Sequence, residues 1–112
     1  RDEPAFVLAT CDALANIVHD EGAIDELEAY LPQLAHMILR LPADSLLTSV
    51  LERFALRVCE SNVHWALQLI WIVYGALEEN RPEVVSGDAE MHLRAARLLQ
   101  LVEQAVVYGA KL

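Results

Sequence analysis

Residues 51–77 read LERFALRVCESNVHWALQLIWIVYGAL. Up to Cys59 the apolar residues recur at helical spacing on one face, Ser61-Asn62 interrupts the pattern, and the run after it is apolar almost all round. Two segments of helical period separated by so short a break predict a helical hairpin. From Val63 to Leu77 the side chains with strongly polar groups are His64 and Gln68, four apart and therefore on one face. At about 100° per residue, Trp71 and Gly75 fall on that same stripe, opposite Ala66, Leu69, Ile70, Val73 and Leu77. A helix with so little polar surface is expected to be sandwiched between neighbours, and Gly75 on it reads either as the close approach of another helix or as an incidental glycine on a partly exposed face. The run is shorter than the about 20 apolar residues a bilayer span requires, and His64 and Gln68 interrupt it, so it reads as a core helix.

The same period extends in both directions. Towards the N-terminus, Leu47, Val50 or Leu51, Phe54 and Val58 form the buried stripe of a third helix that Asp44 or Ser45 can cap, and Phe54 and Ile70 are expected in the core. Before it, Ile24, Leu27, Leu31, Leu34 and Ile38 mark a second helix, which Pro32 splits or kinks near Tyr30 by removing a backbone donor. Pro4, Phe6, Val7, Leu14, Ile17 and Val18 mark a first helix that ends at Asp20-Glu21-Gly22. Beyond Leu77, Asn80-Arg81-Pro82 and Ser86-Gly87-Asp88 break the chain and cap a fifth helix from about Ala89 to Tyr108, with Glu90, Arg94, Arg97, Gln104 and Lys111 as its polar stripe. No segment has the period of two that strands require. The expected fold is all-α: about five antiparallel helices whose hairpins, roughly 40 residues each, stack as in a HEAT- or armadillo-like α-α superhelix.

A chain of 112 residues with 55% apolar content forms one domain, 1–112, with a sizeable core. Seventeen acidic residues against eight basic ones give a formal charge of −9, which argues against nucleic acid or an anionic membrane surface as direct partner. A neutral or basic partner fits better. The first 39 residues carry eight carboxylates against Arg1, a net of −7, and form either a solvated face or a docking face for a basic partner. Cys11 and Cys59 lie apart in helical patterns and read as small core residues of a reducing compartment. A chain that begins at Arg1 and ends within an apolar helical pattern is expected to be a piece of a longer protein.

Catalytic signatures are thin. The glycines stand singly, so no phosphate-cradling loop is expected, and with it no nucleotide cofactor. His19, His36, His64 and His92 fall on four different helices, without a second ligand at metal-binding spacing, so no metal site is expected. Glu26 and Glu28, Glu78 and Glu79, and Asp88 and Glu90 are carboxylate pairs at spacings that point apart on a helix. Ser61 near Cys59 and His64 reads as a helix cap, with nothing glycine-rich beside it to build an oxyanion site. No catalytic, cofactor-binding or metal residue is therefore assigned.

Tyr30-Leu31-Pro32-Gln33-Leu34, the helix through Leu51-Glu52-Arg53-Phe54-Ala55-Leu56, and Cys59 followed by Ala66-Leu67 and Trp71 resemble the helical accessory domain of phosphoinositide kinases. The Cys59 to Trp71 spacing and the ending Leu77-Glu78-Glu79 are most similar to type III phosphatidylinositol 4-kinases, the beta class in particular. The resemblance covers about Glu28 to Glu79 and extends to the flanking helices by pattern. Where the 3-kinase branch has Asn-x-x-Gly-His-x-x-Phe-Trp, this chain has Asn62-Val63-His64-Trp65. The resemblance implies a non-catalytic α-helical scaffold ahead of a kinase domain that uses ATP and Mg²⁺ to phosphorylate the 4-hydroxyl of phosphatidylinositol. It implies as partners the rest of the kinase and a regulatory protein such as a small GTPase, and as location the cytoplasmic side of Golgi-type membranes, without direct insertion. The catalytic groups would lie outside this chain. Two other readings of the residues remain: a free-standing α-hairpin interaction module, and a small helical enzyme or cofactor bundle using His64 and Gln68.

Overall fold

The computed structural model describes residues 31–61 and 63–110, together with a few isolated positions before Leu31. Most of the first helix expected from the sequence, the kink near Tyr30, the carboxylates of the acidic first third other than Asp12, Cys11, His19, Asn62 and Lys111 lie outside the described residues. Within them the chain is all-α, with helices α1 (Leu31–Arg40), α2 (Leu46–Ser61), α3 (His64–Glu79), α4 (Arg81–Val85) and α5 (Ala89–Ala110). The four longer helices all pack on one another, α3 most extensively against α5. The short α4 is an addition. Asn80-Arg81-Pro82 was expected simply to break the chain, yet Pro82 lies in the first turn of a helix, where its missing N–H is no loss.

One apolar cluster unites the layers. Leu34 and Ile38 of α1, Phe54 and Val58 of α2, Leu69 and Val73 of α3, and Leu98 and Leu101 of α5 are all buried in it. The α2 stripe expected from the sequence, Leu47, Val50, Leu51, Phe54 and Val58, is buried throughout. Cys59 is a free, fully buried thiol, and burial pushes its pKa up to about 11, which keeps it protonated and inert.

The helix ends follow local chemistry. Ser45 caps α2: its Oγ accepts the Leu47 N–H at 3.2 Å. Asp88 does the same for α5, its Oδ1 accepting the Met91 N–H at 3.0 Å. Ser61, expected to cap the helix that follows, is instead the last residue of α2, and α3 starts from Val63 without a side-chain cap. A Cβ on Gly87 would lie 2.6 Å from the Glu83 carbonyl oxygen and 2.7 Å from Met91 Cβ, so this junction requires glycine. Gly87→Ala is expected to lower stability by about 2 kcal/mol, because a backbone carbonyl cannot step aside; equilibrium urea unfolding measures it, and an unchanged midpoint would refute the close approach.

The polar stripe of the fifth helix does not face solvent as a unit. Glu90, Arg94 and Arg97, spaced along one side of α5, grip the turn between α1 and α2. Glu90 Oε1 accepts the Ala43 N–H at 2.7 Å, and Arg94 Nη1 donates to the Leu39 carbonyl at 3.4 Å. Arg97 donates to the Ala43 carbonyl and forms a two-pronged pair with Glu52, Nε to Oε2 at 3.0 Å and Nη2 to Oε1 at 2.5 Å. The Thr48 hydroxyl, fully buried, donates to the Pro42 carbonyl at 3.2 Å and closes the same turn from α2. Gln104 of that stripe is exposed. A second tie joins α1 to the end of α3: Asn80 Nδ2 donates to His36 Nδ1 at 3.3 Å, and His36 Nε2 faces Glu79 Oε2 at 3.3 Å. These clasps fix α1, α2 and α5 as a frame, and α3 is held against it.

Candidate functional site: an open apolar face on α3 and α5

The buried side of α3 is narrower than its composition suggests. Ala66, Leu69, Val73 and Ala76 are buried, whereas Leu67, Trp71 and Tyr74 are exposed, Trp71 by 70% and Tyr74 by 67%. The expectation of a helix sandwiched on every side is thus corrected: α3 is covered on one flank and open on the other. Ile70, expected in the core, is half-buried. It sits at the edge where the covered flank meets the open one.

That open flank runs into α5. Ile70, Val73, Tyr74 and Leu77 of α3 and Leu99 and Val102 of α5 line a hollow of about 210 Å³. A neighbouring one of about 190 Å³ is lined by Ala66, Leu67 and Ile70 with Ala105, Val106 and Ala110. Low residue numbers on α3 meet high ones on α5, so the two helices are antiparallel and the hollows form one apolar groove between them. Leu99 and Val106 are exposed on its α5 bank. Contiguous exposed apolar surface of this kind marks a place where something docks, whereas scattered surface leucines do not.

Beside the groove, one turn further round α3, Trp71, Tyr74, Gly75 and Glu78 line a hollow of about 370 Å³. Of the two readings of Gly75, the structure bears out the exposed face: among the described residues nothing beyond its chain neighbours and its own helix backbone lies within 4 Å of where its Cβ would be. Glycine costs a helix interior about 1 kcal/mol relative to alanine. Here its effect is to leave open ground between an indole, a phenol and a carboxylate. Glu78 is held at 3.4 Å by Arg81, both about 70% exposed, a pairing that solvent screens and that contributes little to stability.

The other candidates from the sequence fall apart in space or have structural tasks. His64 and Gln68 are both exposed on α3, while Cys59 is buried in α2. His92 Nε2 donates to the Val84 carbonyl at 3.0 Å, tying α5 to α4. Glu78 and Glu79 point apart, one to Arg81 and the other to His36. Asp88 and Glu90 also diverge, the first to its cap and the second to Ala43. Among the described residues, no group of three or more His, Cys, Asp or Glu side chains could hold a metal ion, and no helix is long and apolar enough to cross a membrane.

Sequence reasoning missed Leu67, Tyr74, Leu99 and Val106. The readable signal was the spacing of Leu67, Trp71, Tyr74 and Glu78, which places a carboxylate at the end of an aliphatic and aromatic stripe. A core stripe would not normally end that way. Fold and site together define a class, an all-α scaffold with an open apolar groove between two antiparallel helices. Comparison with family models, curated proteins and solved structures finds no match to this chain.

Proposed function

We propose that this chain is a non-catalytic helical scaffold and docking segment of a phosphatidylinositol 4-kinase. The observation that supports the docking part is the open α3/α5 groove with Trp71 and Tyr74 exposed beside it, carried on a frame that the Arg97–Glu52 pair and the Glu90–Ala43 hydrogen bond lock. The kinase part rests on the resemblance of residues 28–79 to the helical accessory domain of that family. In this reading the parent enzyme supplies ATP, Mg²⁺ and the catalytic groups from a separate domain, and acts on phosphatidylinositol at Golgi-type membranes. These residues would hold that domain and present a surface to a regulatory protein, a small GTPase being one kind.

The reading frame that encodes the chain decides the kinase part: it is expected to continue into a kinase domain whose product is phosphatidylinositol 4-phosphate. A frame without one would overturn that assignment and favour a free-standing helical interaction module, for which the same groove would serve. The segment by itself is expected to show neither lipid kinase activity nor nucleotide binding. Saturable, Mg²⁺-dependent ATP binding in a calorimetric titration would contradict this.

A further inference from the structure

We infer that the face formed by the α3/α5 groove and the Trp71–Tyr74–Glu78 hollow is the docking site of a basic amphipathic helix, whose apolar stripe lies in the groove and whose Arg or Lys enters the hollow. This rests on reading the chain as a docking scaffold, and holds whether or not a kinase domain follows it.

The groove floor from Ala66 to Leu77 is twelve residues of helix, about 16 Å from the first Cα to the last. That is the span of an apolar i, i+4, i+7, i+11 stripe, the pattern by which a helix is read in a groove between two others. The hollow at its side selects the charge. Trp71 and Tyr74 stand one turn apart on the same flank and line the hollow with two aromatic side chains, and Glu78 follows one turn on with a carboxylate. Two rings and an anion around an opening of about 370 Å³ suit a guanidinium or ammonium group and repel a carboxylate. Gly75 deepens the opening, since a side chain there would stand between the rings and Glu78.

The surroundings favour the same sign. Glu83 and Glu103 are exposed on α4 and α5, and the chain carries a formal charge of −9. Arg94 and Arg97 are turned away to the α1/α2 turn. Arg81 at 3.4 Å occupies Glu78 weakly and acts as a stand-in that an incoming cation displaces. The same acidity disfavours a second copy of this chain, whose own groove would bring Glu78 and Glu103 against their like.

The test uses the full chain and two synthetic helices of about 18 residues with the same leucine stripe, one flanked by arginines and the other by glutamates. Binding is followed by calorimetry. The arginine helix is expected to bind and its glutamate twin to bind at least about tenfold more weakly, with added salt weakening the former. Trp71→Ala or Glu78→Gln should each weaken the arginine helix by about fivefold or more, Arg81→Ala should tighten it, and Glu60→Gln, at the far end of the hairpin, should leave it unchanged. Melting curves confirm that each variant folds. Equal binding of the twins, no binding of either, equal effects of Glu78→Gln and Glu60→Gln, or a dimer that competes with the peptide and is broken by Leu99→Asp would each overturn the inference.

Discussion

Phe54→Ala is expected to lower the stability of the domain by about 4 kcal/mol, the largest single effect foreseen here. Phe54 is 5% exposed in the middle of α2, with Ala55 and Val58 buried beside it, in the cluster that α1, α3 and α5 share. Truncation removes a ring from a site with rigid walls on every side, so the lost transfer free energy and the cavity add. Ile70→Ala is the instructive comparison. The sequence puts both residues at mid-stripe, but Ile70 is half-buried at the edge of the groove, and its truncation is expected to cost only about 1 kcal/mol. Urea denaturation of both variants measures the difference; equal losses would show that α3 is packed on both flanks.

The second large effect is at Arg97. Replacing it by Met keeps most of the aliphatic stem but leaves Glu52, 19% exposed, without its two-pronged partner and the Ala43 carbonyl without a donor. A loss of about 2 to 3 kcal/mol is expected, since a carboxylate stranded in a partly buried site retains its desolvation penalty. Glu52→Leu in the same chain should recover part of that loss, because the stranded charge is then gone. A double-mutant cycle with no coupling would contradict the clasp.

These two positions show what the sequence could and could not disclose. The α2 stripe and the Ser45 and Asp88 caps were legible, because each depends on neighbours a few residues apart. The open flank of α3 was not. Hydropathy states what each side chain prefers, whereas burial depends on how many partners the chain supplies, and Leu67, Trp71 and Tyr74 are left outside. The polar stripe of α5 misled in the opposite sense. Glu90 and Arg97 look like solvent-facing residues until the turn 47 and 54 positions away folds beneath them. Gly75 left two readings open, because glycine in a helix signals unusual surroundings without saying whether they are a tight contact or an empty one.

That ambiguity makes Gly75 the position at which an open recognition surface on the outer face of α3 can be told from a packed one. The measurement is the melting temperature of Gly75→Leu in the full chain, with binding of the arginine-flanked helix measured on the same sample. Leucine is the better helix former by about 1 kcal/mol, its Cβ meets nothing within 4 Å among the described residues and the rest of its side chain lies in the open hollow, so the melting temperature is expected to rise by a few degrees while the filled hollow abolishes binding. A clear fall in melting temperature would mean that another segment packs against Gly75, and the face would then belong to the core.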